Sequence, residues 1–240
     1  MTPPALAIHV FPDALAAARA AAAHLAEEAR AAAAARGRFV VAVSGGHSPW
    51  QMLEVLAGLD VPWPAVRLVQ VDERVAPAGD PDRNATHIGE SLLARAPLAA
   101  RNVHLMPVEA ADLSTAAANY ARTLAELAGS PPVLDLVHLG LGPDGHTASL
   151  VPGDPVLGVT GADVAVAGPY QGRLRMTLTY PVLNRARRIV FLVTGADKAD
   201  ALMRLCDGDG SIPAGRVDRS RAVLIADGAA AARLEAKSAS

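Results

Sequence analysis

The sequence predicts an α/β fold in which a mainly parallel sheet lies between two layers of helices. Short runs of Val, Ile and Leu alternate with helical segments along the chain, and continuous apolar runs are typical of parallel strands that are buried on both faces. No linker rich in Ser, Gly or Pro divides the 240 residues, and one core can accommodate that length. We therefore assign residues 1–240 to a single domain.

The first predicted element is a helix over residues 14–35, because this stretch is rich in alanine, the best helix former. Asp13 is its predicted N-cap and Gly37 the residue that ends it. Four further helices alternate with eight strands. The predicted strands cover residues 38–43, 66–71, 102–105, 134–139, 164–167, 174–179, 188–193 and 222–226. The other predicted helices cover residues 48–56, 85–95, 112–127 and 197–206.

Composition argues against several classes of partner. The formal net charge is −2 with interspersed charges, whereas non-specific nucleic-acid binding needs a basic stripe. No apolar run reaches the roughly 18 residues of a membrane span, and the first residues lack the pattern of a signal peptide. The single cysteine, Cys206, cannot form an internal disulfide. We expect a cytoplasmic protein with neither nucleic acid nor membrane as partner.

Ligands of such sheets bind beyond the carboxyl ends of the strands, so the loops there are the places to seek chemistry. The first loop contains Ser44, Gly45, Gly46, His47 and Ser48. Its glycines let the backbone approach an anion, and the helix that follows offers unpaired N–H groups and a favourable dipole. The loop lacks the GK[ST] ending of a Walker motif. An ordinary tight turn with a serine cap is the alternative interpretation.

Two acids and an arginine, Asp72, Glu73 and Arg74, follow the second strand. Charges at the end of a buried strand are costly unless they are paired or used. A structural salt bridge and a ligand site both fit this pattern. Asn84 lies downstream in a loop of turn-forming residues that can close over a ligand.

A glycine-rich loop follows the strand at 134–139 and presents Asp144 and His146. It has a formal GxGxxG pattern, but a dinucleotide-binding loop opens a long helix, whereas a Pro-Gly pair follows here at 152–153. Histidine is the natural general base near neutral pH, and a nearby carboxylate can orient it. We predict that His146 is a base oriented by Asp144, with Gly142 and Gly145 as candidate substrate contacts.

Lysine occurs only at positions 198 and 237, although arginine is common. Lys198 lies in the first turn of a predicted helix, where a cation is mildly unfavourable. An anion shared by the helix end and the lysine would resolve that conflict, and a solvated surface lysine is the alternative. Arg175, in the strand at 174–179, is a further candidate. Neither an HExxH motif, a Cys/His cluster nor a GxSxG elbow is present, so we predict no metal, no other cofactor and no covalent nucleophile.

Five segments, SGGHSP, DERVAP, LGLGPDGHTASLVPG, RMTLT and TGADKADAL, resemble those of 6-phosphogluconolactonases. They occur in the same order and spread from residue 40 to 205. The wider superfamily includes glucosamine-6-phosphate deaminases and ribose-5-phosphate isomerases, and its fold is a Rossmann-like three-layer sandwich. The resemblance implies hydrolysis of the phosphorylated sugar lactone 6-phospho-D-glucono-1,5-lactone to 6-phosphogluconate in the oxidative pentose phosphate pathway. We expect a monomer or a weak homo-oligomer.

The resemblance also implies roles for the predicted site. His146 would activate water, Asp144 would fix its tautomer, and Arg74 would stabilise the oxyanion. The phosphate would be bound by the loop at 44–48 and by cations, and the division of roles among Arg74, Arg175 and Lys198 stays open. The remaining candidate substrate contacts are Asp72, Asn84, Gly142 and Gly145.

The chain departs from the family pattern at His47, often Ser or Thr, at Arg83, often Ser, and at Val151, often Phe. The effect of the first two on phosphate affinity stays open. Two rival functions stay open. A deaminase would carry DGHIAFNEP with a glutamate after the histidine, where this chain has ASLVP. A non-enzymatic sensor of sugar phosphates would use the same pocket.

Overall fold

The computed structural model describes residues 6–238, with side chains described as far as residue 234. Ten strands are present in this part of the chain: β1 (Ala7–Phe11), β2 (Phe39–Val43), β3 (Val66–Gln70), β4 (Asp72–Arg74), β5 (Val103–His104), β6 (Leu136–Leu139), β7 (Val164–Tyr170), β8 (Arg173–Leu178), β9 (Ile189–Val193) and β10 (Ala222–Asp227). The α-helices there are α1 (Ala14–Arg36), α2 (His47–Ala57), α3 (Asn84–Ile88), α4 (Leu113–Ala128), α5 (Tyr180–Arg185), α6 (Ala199–Asp207) and α7 (Gly228–Ser238).

Seven strands form one parallel sheet in the order β1-β10-β9-β6-β2-β3-β5. Strand β2 alternates between two apolar cores: Val40 and Ala42 point to one, and Val41 and Val43 to the other. Both faces of the sheet are therefore buried, as the continuous apolar runs predicted. The α/β class with a mainly parallel sheet is confirmed.

A second sheet has three antiparallel strands in the order β4-β8-β7. The sequence predicts β7 and β8 as strands but gives no sign that they leave the main sheet. Strand β4 follows β3 after Val71, whose N–H and C=O bond to Val43 of the main sheet and to Leu178 of β8 respectively. In this register Arg74 lies directly opposite Arg175. The small sheet thus carries two cations to the edge where the parallel strands end.

The predicted ends of helix α1 are confirmed. Asp13 accepts a hydrogen bond from the Ala16 N–H at 2.8 Å. Gly37 has φ +69° and donates its N–H to the Ala33 carbonyl, as a C-terminal glycine does. The helix buries a face made almost entirely of alanine.

Other helix predictions need correction. The helix expected at 85–95 consists of α3 and a wider π-helical turn at Gly89–Leu93. The one expected at 197–206 begins as a 3₁₀ turn, Ala196–Lys198, and continues as α6. The sequence analysis does not predict β1, α5 and α7, and it predicts a loop where β4 lies, because all three residues of β4 are charged. Strand β1 is a largely exposed edge strand, α5 is six residues long, and α7 begins at a glycine, so each lacks the usual signal.

No helix among residues 6–238 is both long enough and apolar enough to cross a membrane.

Candidate active site

A cleft of about 540 Å³ lies at the carboxyl ends of the central parallel strands. It is formed by the loops after β2, β6 and β9, by strand β4 and by the β7–β8 hairpin. Of the residues predicted as site candidates, all but Asp144 and Gly145 line it: Ser44, Gly45, Gly46, His47, Ser48, Asp72, Arg74, Asn84, Gly142, His146, Arg175 and Lys198. The five separate segments therefore meet at one place.

Asp144 orients His146. The carboxylate Oδ1 lies 2.6 Å from the imidazole Nδ1 and 3.1 Å from the His146 backbone N–H. Burial disfavours the charged carboxylate, but the hydrogen bonds and charge of His146 outweigh it, so the pKa of Asp144 is lowered. A carboxylate accepts the Nδ1 proton, which leaves Nε2 with its lone pair. This is the arrangement of a general base.

Two glycines of this loop have different roles. A Cβ at Gly142 would overlap the His146 ring and the Asp144 carboxylate, so only glycine allows this loop to place both side chains. Gly145, with φ +85°, faces Ile212, and a Cβ there would contact that side chain. The structure thus places Gly145 against the core rather than in the cleft, because its backbone turns the chain between Asp144 and His146.

Arg74 and Arg175 present two guanidinium groups to the cleft from neighbouring strands. Arg74 Nη1 donates to the Asp82 carbonyl at 2.7 Å and to Asn84 Oδ1 at 2.8 Å. Both Nε atoms are buried without a hydrogen-bond partner. Burial, opposed by Asp72 and reinforced by the charge of Arg74, lowers the pKa of Arg175. Like charges opposite each other are unfavourable, so this pair favours an anion between them.

The two acids of the second loop, Asp72 and Glu73, have different surroundings. Asp72 lines the cleft, and its Oδ2 accepts a hydrogen bond from Ser149 Oγ at 2.7 Å and lies 3.9 Å from Arg175. Glu73 is fully buried. It accepts the backbone N–H groups of Asn84 and Ala85, each at 2.8 Å. Glu73 thus anchors the start of α3, whereas Asp72 lines the cleft.

Arg83, one of the departures from the family pattern, forms ion pairs inside the protein. Its guanidinium is 3.4 Å from Glu73 and also pairs with Glu109, and the residue is 5% exposed. A buried carboxylate such as Glu73 needs a cationic or donor partner, and Arg83 supplies one. Arg83 is not among the residues that line the cleft, so this geometry gives it no direct contact with a bound phosphate.

Asn84 connects two loops. Its side-chain amide donates to the Asp72 carbonyl at 2.9 Å, and its Oδ1 accepts from Arg74. A Cβ at Gly45 would overlap this amide. Glycine is therefore required at position 45 for close approach of the loop after β2 to the loop that ends at Asn84.

The serines of the first loop are already hydrogen-bonded within the protein. Ser44 Oγ donates to the His138 carbonyl at 3.0 Å, and Ser48 Oγ pairs with Thr194 Oγ1. The N-terminus of α2 begins at His47, after Gly46 in a left-handed conformation, φ +123°. Backbone N–H groups at this helix end thus remain the main donors that the loop can offer an anion.

Lys198 lines the cleft and is the N-cap residue of α6. Its Nζ is 2.6 Å from Asp197 Oδ2, and Asp197 is largely exposed. The lysine is therefore neither a free surface cation nor a deeply buried one, and an incoming anion would compete with a solvated carboxylate for it.

The sequence reading missed His138, Tyr170, Gln171 and Thr194; of these, the last three line the cleft. His138 is fully buried in β6, and its Nδ1 accepts the Ser44 backbone N–H at 3.4 Å. Burial lowers the pKa of His138 to about 4. A histidine inside an otherwise apolar strand was the available signal.

The buried His138 predicts acid sensitivity. An exposed histidine in the unfolded chain has a pKa near 6.5 and His138 in the fold one of about 4, so the unfolded state takes up a proton first as the pH falls. Stability is full above the unfolded pKa and lost below it, by about 3 kcal/mol when the pH reaches 4. Urea unfolding near pH 7 and near pH 4 would show a smaller loss for His138→Asn than for the wild type. Equal losses would contradict this assignment.

The fold is an α/β sandwich with a cleft at the carboxyl ends of its parallel strands, lined by three cations and by His146. The chain belongs to the family of glucosamine-6-phosphate isomerases and 6-phosphogluconolactonases, because the model of that family matches residues 12–226.

Individual relatives show which members of this family the chain resembles. A 6-phosphogluconolactonase of Synechocystis is 41% identical over 71% of this chain and 72% of its own. Another, from Streptomyces coelicolor, is 36% identical over 96% of this chain and 95% of its own. The structure of 6-phosphogluconolactonase from Trypanosoma cruzi matches with a TM-score of 0.86 and 26% identity, over 98% of both chains. The similarity groups the chain with the 6-phosphogluconolactonases, which are lactone hydrolases.

Proposed function

We propose that this protein hydrolyses 6-phospho-D-glucono-1,5-lactone to 6-phosphogluconate, with water activated by a histidine and without a metal. The observation that carries the proposal is the His146–Asp144 pair, held at 2.6 Å beside a cleft that two guanidinium groups also line. A base and an anion-stabilising site are the two requirements of ester hydrolysis by water. The likeness to lactonases along nearly the whole chain supports the same substrate.

In the proposed reaction, His146 Nε2 removes a proton from a water molecule as that water attacks the lactone carbonyl. The new negative charge on the carbonyl oxygen is stabilised by Arg74, which Asn84 and the Asp82 carbonyl hold in place. Asp144 stabilises the imidazolium that forms. When the tetrahedral intermediate collapses, the bond from the carbonyl carbon to the ring oxygen breaks, the ring oxygen takes the proton held by His146, and the open-chain acid and the neutral imidazole result.

The phosphate of the substrate would bind at the opposite side of the cleft, between the N-termini of α2 and α6. The dipoles of both helices favour an anion at these ends, and Lys198 adds a positive charge at the start of α6. Arg175 lies nearer Asp72 and Arg74. We therefore assign Lys198 to the phosphate and Arg74 to the oxyanion. Arg175 is assigned to the part of the substrate between the phosphate and the reacting carbonyl.

No group of three or more His, Cys, Asp or Glu side chains within the described residues is arranged to hold a metal ion. The proposed mechanism needs none, because histidine supplies the base and arginine the positive charge. We expect turnover to persist after exhaustive dialysis against EDTA. Loss of turnover that a single divalent ion restores would overturn this part of the proposal.

The deaminase alternative needs a further acid after the histidine. The nearest downstream acid, Asp154, accepts the backbone N–H groups of Val156 and Gly168, each at 2.8 Å. Its two oxygens are thus engaged away from the cleft. This supports hydrolysis rather than deamination.

The deciding experiment is an assay of the purified protein with freshly generated lactone, in which 6-phosphogluconate is detected by a coupled oxidation and the spontaneous rate is subtracted. The same preparation is given glucosamine 6-phosphate, and ammonia is measured. We expect rapid lactone hydrolysis and no ammonia. Ammonia release at a comparable rate would favour the deaminase over the lactonase, and binding without turnover of either compound would identify a sensor.

We also propose that the protein is cytoplasmic and is a monomer or a weak homo-oligomer. Light scattering of the purified protein measures the oligomeric state.

A further inference from the structure

The hairpin between β7 and β8 forms one wall of the cleft. Its turn contains Gln171 and Gly172, both with positive φ, +54° and +79°. Tyr170, immediately before the turn, lines the cleft beside His146 and Arg175. None of the residues at this turn belongs to the machinery assigned above.

Tyr170 contacts three groups of that machinery at once. Its hydroxyl donates to Asp144 Oδ2 at 3.4 Å. Its ring meets the His146 ring edge-on, with centroids 5.1 Å apart and planes at 62°. The Arg175 guanidinium carbon lies 5.1 Å from the centre of the same ring, within the range of a cation–π contact.

These contacts restrain the Asp144 carboxylate from both sides. Oδ1 accepts from His146, and Oδ2 accepts from Tyr170. Burial, followed by the Asp144 charge, raises the pKa of Tyr170, so the hydroxyl keeps its proton and remains a donor. Without this second donor, the carboxylate is restrained only through Oδ1, by the two hydrogen bonds from His146, and Oδ2 no longer fixes the plane in which the imidazole is held.

The hairpin turn is itself anchored. Arg173 pairs with Asp80 at 3.1 Å and with Asp82 at 3.0 Å, and the carbonyl of Asp82 also accepts from Arg74. Tyr170 therefore lies on a hairpin that is paired with the same loop that holds Arg74, the residue proposed to stabilise the oxyanion. From this position Tyr170 can fix the His146 imidazole relative to the guanidinium groups of Arg74 and Arg175.

We propose that Tyr170 is a positioning residue of lactone hydrolysis, which holds the Asp144–His146 pair in register with Arg175. The inference rests on the proposed function. Tyr170 acts through Asp144 and His146 and takes no part in proton transfer, so its removal should lower kcat more than it changes KM.

The test compares Tyr170→Phe, which loses only the hydroxyl, with Tyr170→Leu, which also loses the ring. Tyr180→Phe is the matched control, since the Tyr180 hydroxyl donates to the Pro213 carbonyl outside the cleft. We expect Tyr170→Phe to lower kcat about three- to tenfold, the effect of one lost hydrogen bond, with KM unchanged. Tyr170→Leu should lower kcat further and raise KM, because Arg175 loses its aromatic support.

A double-mutant cycle makes the test specific. In an Asp144→Ala background the hydroxyl has no acceptor, so Tyr170→Phe should have no further effect on kcat. Wild-type kcat in Tyr170→Phe, or an equal loss in both backgrounds, would overturn the inference. Urea unfolding of each variant separates a folding defect from a loss of positioning, and all four rates of the cycle are compared at a temperature at which every variant is folded. Absence of lactone turnover in the wild type would instead refute the proposed function.

Discussion

Replacement of His146 by alanine is expected to lower kcat for the phosphorylated lactone by about 10²–10⁴-fold, the usual contribution of a positioned general base. The fold should persist, because the side chain is partly exposed at a loop and packs mainly against Tyr170 and Gly142. Initial rates with freshly generated lactone, corrected for spontaneous hydrolysis, measure the effect.

The matched control is His9→Ala, which removes an exposed histidine from the edge strand β1. It should retain wild-type kcat. Urea unfolding of both variants checks that the loss of rate is not a loss of fold. A folded His146→Ala variant with the wild-type rate would refute the assignment of the base.

The second large effect concerns the phosphate. Lys198→Met keeps most of the apolar stem and removes the charge. We expect kcat/KM for the phosphorylated lactone to fall about 10- to 100-fold, since hydrogen bonds to charged groups contribute about 1.5–3 kcal/mol. Turnover can fall with binding, because the energy of a remote phosphate contact can orient the reacting carbonyl. With unphosphorylated gluconolactone the same variant should behave almost as the wild type does.

Arg233→Met controls for the loss of one positive charge. Arg233 pairs with Asp200 at 2.7 Å on the exposed side of α6, so its removal should alter neither substrate's rate. Equal losses by Lys198→Met on both lactones would place Lys198 at the reacting carbonyl or in the fold rather than at the phosphate.

The sequence predicted the fold class and the loops that form the cleft for a simple physical reason. Parallel strands bring their carboxyl ends to one edge, so polar and glycine-rich segments after successive apolar runs must meet there. The Asp144–His146 pair was predictable because two residues of spacing in a tight glycine loop bring their side chains together. Elements without periodic or capping signals, such as β1 and α7, were not predictable in this way.

Other features of the site depend on contacts between residues far apart in the chain, which local patterns do not encode. Arg74 faces Arg175 only because β4 and β8 pair in one register of a separate sheet. The roles of Asp72 and Glu73, adjacent and chemically alike, were divided by which side of β4 each occupies: one faces the cleft, and the other receives the N-terminus of α3. Tyr170 reaches Asp144 from a hairpin 26 residues away. Local sequence patterns thus indicate which residue types reach the strand ends. Long-range packing sets which of these residues line the cleft and which support it, because burial and the pairing of charges depend on contacts between distant segments.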